Sequence, residues 1–298
     1  MPGRSTDNQP LTIDNYQLPT ANRPFSRSGT LLMHSAPGHP DSSGVEGRPG
    51  SPWRLINHGP GPPQWNMAVD EVLRRSHAEA GGPPTLRFYQ WSQPTLSLGA
   101  GQKLPPTLTP ECLQAFNLAV VRRPSGGRAV WHGTDLTYCL VAGVREGFPP
   151  AVTAVYRRLS RVLQRGLARL GVETETGTGA PPARFSCFAG VARGDLAWAG
   201  KKLVGSAQSW QGQSFLQHGS ILLTASPEQW RPLLRLLGEE ETLPLTSLKE
   251  ILGALPDLTV VKEALRQALE EELGVWLQEG GLTRWEREQL GRSRAAEG

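Results

Sequence analysis

Apolar and polar residues alternate along several short stretches from residue 53 onward, and this alternation predicts strands. In residues 135–142, for example, Leu136, Tyr138 and Leu140 alternate with smaller or polar residues. The other predicted strands are 53–56, 85–91, 95–98, 118–122, 194–198, 202–206 and 220–223. Ala199-Gly200-Lys201 is a suitable turn to join two of these strands, 194–198 and 202–206, as a hairpin.

Other stretches have the spacing of helices. Asn66 is a candidate cap for a helix over 67–80, and apolar residues recur at helical spacing over 151–170, where Gly171 can end the helix. After residue 226 the pattern is mainly helical, most clearly over 260–273. We therefore predict an α+β fold with a mixed β-sheet, flanking helices and a C-terminal helical appendage over 226–298.

The first 50 residues differ from the rest. They contain 7 Pro, 6 Gly and 6 Ser and no sustained periodicity, a composition typical of disorder. We predict a disordered tail over 1–50 and a main domain over 51–225.

Composition excludes several classes of protein. The 298 residues carry a formal charge of only +4, too little to indicate nucleic-acid binding. No apolar run approaches the roughly 18 residues that span a bilayer, and there is no signal-peptide pattern. Cys112, Cys139 and Cys187 form no Cys-x-x-Cys pair, so neither a zinc site nor a disulfide framework is indicated. We expect a soluble cytoplasmic protein without metal, membrane or nucleic-acid partner.

The helix predicted over 151–170 carries five arginines on its polar face, Arg157, Arg158, Arg161, Arg165 and Arg169. This pattern has two interpretations. The arginines form an ordinary solvated helix face, which is the more common case, or they form a docking surface for an acidic partner.

A loop from Arg122 to His132 combines three arginines with Gly126-Gly127. Paired glycines let a backbone approach a ligand closely, and guanidinium groups bind anions. A plain Ser-Gly-Gly turn between two strands is the alternative interpretation.

Two further residues are candidates for chemistry. Cys187 lies in an irregular segment before the hairpin, and a thiol becomes a strong nucleophile as thiolate, which cationic neighbours such as Lys202 or Arg128 would favour. Lys202 lies at a strand start near small residues, although most lysines there simply face solvent. Cys139 and Cys112 are more typical of packing residues.

Five motifs in order resemble the lipoate and biotin protein ligase family, in particular its octanoyltransferase branch. They are Asn66-Met67-Ala68-Val69-Asp70-Glu71, the segment 87–99 as a first hairpin, Arg122 to His132, Lys202 to Ala207, and Gln217-His218-Gly219-Ser220-Ile221. Ser186-Cys187-Phe188 stands where that branch has its nucleophile. The resemblance covers residues 53–223 and identifies 51–225 as the catalytic domain.

The resemblance implies a reaction and a set of site residues. It implies transfer of an octanoyl group from acyl carrier protein, through a thioester on Cys187 assisted by Lys202, to a lysine of a lipoyl domain such as glycine cleavage protein H. It implies neither metal nor ATP. The substrate-binding residues it implies are Arg122, Arg123, Ser125, Gly126, Gly127, Arg128, His132, Gly205, Ser206, Ala207, His218 and Gly219.

The chain departs from the family pattern at Gly99-Ala100-Gly101-Gln102, where an aromatic pair is common, and at Gly133, where aspartate is common. Two other functions remain open from the residues. One is an ATP-dependent lipoate-protein ligase in which Lys202 holds an acyl-adenylate. The other is a binding module for an acyl group or carrier protein that has no turnover.

Overall fold

The computed structural model describes residues 52–179, 185–187, 190–225, 227–238 and 243–295. The tail predicted over 1–50 lies outside the described residues, as does Phe188 of the cysteine motif. All the described residues belong to one compact unit, Arg48–Gly298.

The described strands and helices confirm the predicted α+β class. The strands are β1 (Trp53–Gly61), β2 (Thr85–Trp91), β3 (Thr95–Leu98), β4 (Ala119–Arg122), β5 (Val130–His132), β6 (Asp135–Gly143), β7 (Glu175–Thr176), β8 (Leu196–Trp198), β9 (Lys201–Gln211), β10 (Ser214–Leu222) and β11 (Leu277–Glu279). The helices are α1 (Pro63–Glu79), α2 (Pro110–Ala115), α3 (Val152–Ala168), α4 (Pro227–Leu236), α5 (Leu248–Leu252), α6 (Leu258–Leu273) and α7 (Arg284–Ala295).

The larger sheet has eight strands in the order β11-β1-β2-β6-β10-β9-β8-β7. It is mixed, since β1 runs parallel to β2 and β11 while β2, β6, β10, β9 and β8 pair antiparallel. One face packs against α1 through Val69, Val72 and Leu73, and the other against α3 and α6. Apolar side chains on both faces explain why all nine residues of β6 are buried.

Strands β4, β3 and β5 form a separate three-stranded sheet. The prediction of a first hairpin over 87–99 is therefore wrong, because β2 and β3 belong to different sheets. The chain leaves the large sheet at Ser92-Gln93-Pro94, and the carbonyl of Pro94 accepts a hydrogen bond from Ala119. This turn brings the small sheet, with its glycine loop, beside the large one.

Helix α1 begins four residues before its predicted start. Pro62 is the N-cap and Pro63 the first helical residue, a position where proline is favoured because its missing N–H costs nothing. Asn66 is not the cap: its buried side-chain amide donates to the carbonyls of Gly61 at 3.1 Å and Gln90 at 2.9 Å. Asn66 thus fixes α1 against the ends of β1 and β2.

The arginine face of α3 is largely occupied by ion pairs with α6. Arg161 and Arg165 each lie 2.9 Å from Glu272, and Arg169 pairs with Glu271. These pairs join two helices of the same chain and neutralise much of the face, which disfavours the hypothesis of a docking surface there.

The C-terminal helices are present as predicted, and they pack into the same compact unit. Strand β11, which the helical pattern did not predict, pairs with β1 at the sheet edge. Further back, Pro244 and Thr246 hydrogen-bond the backbone of Lys202 on β9. The boundary predicted at residue 226 therefore lies inside one unit, and residues beyond it help to position Lys202.

A buried ion pair holds α7 to the sheet. Both guanidinium Nη atoms of Arg54 donate to Glu286 at 2.8 Å, and the Glu286 side chain is fully buried. Glu286→Ala is expected to lower the free energy of unfolding by about 3–5 kcal/mol, because Arg54 is left buried and unpaired. Urea unfolding measures this. Glu288→Ala, which removes the exposed pair with Arg284, is the matched control and is expected to cost at most about 1 kcal/mol.

Candidate active site

Cys187 is held beside the glycine loop by backbone contacts. Its N–H donates to the carbonyl of Ala129 at 2.8 Å, and Ser186 bridges to the same residue. Ala129 directly precedes β5, so the small sheet and its loop position the backbone of Cys187.

Lys202, the second residue of β9, contacts the thiol. Its Nζ lies 3.1 Å from Cys187 Sγ and donates to the Cys187 carbonyl, also at 3.1 Å. The side chain has no exposed surface. The predicted neighbourhood of Cys187 and Lys202 is thus present.

Asp195 completes this group and was missed from the sequence. Its carboxylate lies 2.8 Å from Lys202 Nζ and accepts a hydrogen bond from Ala192 N–H at 2.7 Å. Asp195 directly precedes β8, the strand that pairs with β9, and β9 carries Lys202. Nothing in the residue pattern distinguished it from a turn aspartate.

Lys202 interacts electrostatically with both Cys187 and Asp195, and these interactions affect its pKa. Burial alone would lower the pKa of Lys202, but Cys187 and Asp195 outweigh it and raise the pKa above its ordinary 10.5. Burial raises the pKa of Asp195, with Lys202 opposing the rise. Lys202 is therefore an ammonium at neutral pH, and it donates a hydrogen bond to Cys187 Sγ.

The cavity next to Cys187 lies between the two sheets and encloses about 470 Å³, counting its opening to solvent. The lining residues that the sequence predicted are Arg123, Gly127, His132, Cys187, Gly205, Ser206, Ala207, His218 and Gly219. Those it missed are Met67, Tyr89, Trp91, Ser97, Val130, Thr137 and Ser220.

The remaining predicted residues of the glycine loop are not part of the described cavity lining. Arg122 is exposed, and its Nη1 donates to the carbonyls of Gly99, Ala100 and Gln102 at 2.7–3.1 Å. Ser125, Gly126 and Arg128 are absent from the described lining of the cavity. A Cβ at Gly99 would lie 2.1 Å from the Gly127 carbonyl oxygen, so the loop packs directly on the end of β3.

Two histidines line the cavity, each between a serine and a buried aspartate. His218 accepts from Ser125 Oγ at Nε2, 2.6 Å away, and its Nδ1 lies 3.1 Å from Asp70. Burial lowers the pKa of His218 below 6.5 despite Asp70, so the ring is neutral at pH 7. It donates through Nδ1 and accepts through Nε2, which ties the glycine loop to α1.

His132 has a similar arrangement. Its Nε2 lies 2.8 Å from Ser97 Oγ, and its Nδ1 lies 2.9 Å from Asp135. Asp135 also accepts hydrogen bonds from Thr137 and Ser220. Burial acts to raise the pKa of Asp135, but His132 and the hydrogen bonds from the Ser220 hydroxyl and the Gly133 N–H lower it overall. The polar groups at this end of the cavity are therefore already paired within the protein.

Gly205 leaves room for the Lys202 side chain. A Cβ added there would lie 2.9 Å from Lys202 Cε and 3.2 Å from Nζ. Gly205→Ala is therefore expected to displace the ammonium from Sγ and to lower the rate at which iodoacetamide alkylates Cys187 by about 10- to 100-fold, since small misplacements near reacting groups are costly. Mass analysis of samples quenched over time measures the rate. Gly59→Ala, where a Cβ meets nothing within 4 Å, is the control; equal rates for both variants would contradict the steric argument.

Neither a metal-binding cluster nor a membrane-crossing helix is found among the described residues. No group of three or more His, Cys, Asp or Glu side chains there is arranged to hold a metal ion. No helix in the described part of the chain is long and apolar enough to cross a membrane.

Relatives of known name share this chain's sequence along most of its length. An octanoyltransferase LipM of Kyrpidia tusciae is 40% identical over 256 residues, which cover 79% of this chain and 92% of that protein. An octanoyltransferase LipM of Moorella thermoacetica is 37% identical over 263 residues, 83% of this chain and 96% of that protein.

Solved structures share the fold. A lipoate-protein ligase A bound with ATP superposes with a TM-score of 0.67 at 20% identity, covering 81% of this chain and 94% of that one. A bipartite lipoate protein ligase from Thermoplasma acidophilum gives 0.64 at 20% identity, covering 81% and 91%. The lipoyl protein ligase A/B catalytic domain matches residues 62–270. The chain therefore belongs to the lipoyl protein ligase A/B catalytic domain family, among relatives named octanoyltransferase LipM.

Proposed function

We propose that this protein is an octanoyltransferase for protein lipoylation, which takes an octanoyl group from acyl carrier protein and delivers it to a lysine of a lipoyl domain. The observation that carries the proposal is the 3.1 Å contact between the buried Lys202 ammonium and the sulfur of Cys187, a residue that lines the cavity. We infer that the acyl group is octanoyl because the relatives are named octanoyltransferases.

In the first half-reaction the Cys187 thiolate attacks the carbonyl carbon of the octanoyl thioester. The new S–C bond forms a tetrahedral intermediate, which collapses by breaking the bond to the carrier sulfur. The carrier leaves as a thiolate and takes a proton from solvent. Lys202 stabilises the attacking thiolate, and Asp195 keeps the ammonium in place.

In the second half-reaction the neutral ε-amine of the acceptor lysine attacks the octanoyl-cysteine carbonyl. The C–N bond forms, the C–S bond to Cys187 breaks, and the amine loses one proton to solvent. The Cys187 thiolate returns to its hydrogen bond with Lys202. Glycine cleavage protein H is the acceptor we propose for the first trial.

The predicted binding residues take two roles in this proposal. Arg123, Gly127, His132, Gly205, Ser206, Ala207, His218 and Gly219 contact the acyl group, because they line the cavity beside Cys187. Arg122, Ser125, Gly126 and Arg128 hold the shape of the loop.

Transfer without ATP tests the proposal. The protein is incubated with octanoyl acyl carrier protein and glycine cleavage protein H in the absence of nucleotide, and the acceptor mass is measured. We expect a gain of one octanoyl group. Modification only with free acid and ATP, with AMP released, would instead identify a ligase. Carrier binding with no transfer under either condition would identify a binding module.

A further inference from the structure

We propose that Arg123 is a further catalytic residue, whose Nε–H donates a hydrogen bond to the carbonyl oxygen of the octanoyl thioester and to the oxyanion that forms from it. This inference rests on the proposed function. Cys187 and Lys202 supply the nucleophile, and Arg123 would supply the group that receives the developing negative charge.

The Arg123 guanidinium has one hydrogen-bond donor without a partner among the described residues. A guanidinium carries five N–H bonds. At Arg123 four of them point to partners: Nη1 to the carbonyl and hydroxyl of Ser97 at 2.8 and 3.3 Å, and Nη2 to the carbonyls of Gly126 and Arg128 at 2.9 and 2.7 Å. The fifth, on Nε, is buried and has no hydrogen-bond partner among the described residues.

Arg123 also lies at the cavity that holds Cys187. Arg123 is 5% exposed and lines the same cavity as Cys187 and Gly127. Burial lowers its pKa, while the negative forms of Cys187 and Tyr156 oppose the change, so the guanidinium and the thiol are close enough to influence each other. A buried charged donor without an acceptor is costly, and a substrate oxygen in the cavity removes that cost.

The third support is rigidity. Oxyanion stabilisation is strongest when the donor is fixed before the reaction, because no reorganisation is then needed. Two sets of hydrogen bonds fix the guanidinium plane of Arg123. One set goes to Ser97 on β3, and the other goes to two carbonyls of the glycine loop. The same contacts give the competing explanation, in which Arg123 only clamps the loop.

A comparison of two reactions at Cys187 separates these explanations. Acylation by an octanoyl thioester passes through an oxyanion, whereas alkylation by iodoacetamide needs the thiolate but forms no oxyanion at a carbonyl carbon. Arg123→Lys keeps a positive charge and loses the Nε–H. We expect acylation to slow by about 10²- to 10³-fold and alkylation by less than about threefold.

Arg122→Lys is the matched control for the loop, since Arg122 anchors residues 99–102 from outside the cavity lining. It is expected to change both rates in the same proportion. Equal slowing of both reactions in Arg123→Lys, or no slowing of acylation, would overturn the inference. If wild-type protein forms no acyl-enzyme, the proposed function fails instead.

A measurement on the wild-type protein covers the case in which Arg123→Lys does not fold. In a crystal structure of the octanoyl-enzyme, the thioester carbonyl oxygen is expected within about 3.2 Å of Arg123 Nε. A carbonyl oxygen directed to another donor would overturn the inference.

Discussion

Cys187→Ala is expected to reduce octanoyl transfer to background, a loss of about 10⁴-fold or more, while the fold is retained. The proposed reaction passes through a covalent bond to this sulfur, and no other group can take its place in the intermediate. Transfer to a lipoyl domain, followed by mass spectrometry, measures the loss. Thermal melting of the variant is expected to stay close to that of the wild type, because Cys187 is only partly buried.

Cys112→Ser is the matched control for the thiol. Cys112 is also partly buried, and it lies on α2, away from the described lining of the cavity. Transfer by Cys112→Ser is expected at the wild-type rate. Transfer retained in Cys187→Ala would mean that the acyl group does not pass through this cysteine, whatever the control shows.

Lys202→Met is expected to slow acylation of Cys187 by about 10²- to 10⁴-fold, the range typical of a positioned ionic group in catalysis. The change removes the ammonium that donates to Cys187 Sγ and leaves the Asp195 carboxyl buried without its partner. Alkylation of Cys187 by iodoacetamide is expected to slow as well, since the variant lacks the donor that contacts Sγ. Both rates are measured by quenched-flow mass analysis.

Lys201→Met offers a neighbouring lysine on the same strand. Lys201 is exposed, whereas Lys202 is fully buried, so the alternation of β9 separates the two by face. Lys201→Met is expected to leave acylation and alkylation unchanged. Similar losses in both variants would show that net charge at the start of β9, rather than the Lys202 contact, governs the reaction.

Local patterns predicted the elements better than their arrangement. The period of two in β6 and the turn at Ala199-Gly200 gave strands that the structure confirms, because each depends on neighbours in sequence. The assignment of β2 and β3 to different sheets depends on pairings with distant strands. The start of α1 was misplaced because Asn66 has the chemistry of a cap but bonds backbone on two strands instead.

The residues of the candidate site also fall into two groups, those that local motifs predicted and those that only the fold brings together. The glycine loop, Cys187 and Lys202 were recognisable from their motifs. Asp195, Ser97 and Ser220 were not, because an aspartate in a turn and serines on strands gain their meaning only when the fold brings distant segments together. Arg123 was predicted as an anion-binding residue, and only the structure shows that four of its donors are already used.

The intact mass of the protein after incubation with octanoyl acyl carrier protein, without ATP, tests the central claim most directly. We predict one octanoyl adduct, located on Cys187 by peptide mapping, absent from Cys187→Ala and discharged when a lipoyl domain is added. An unmodified Cys187 in wild-type protein that still transfers the octanoyl group would contradict the account.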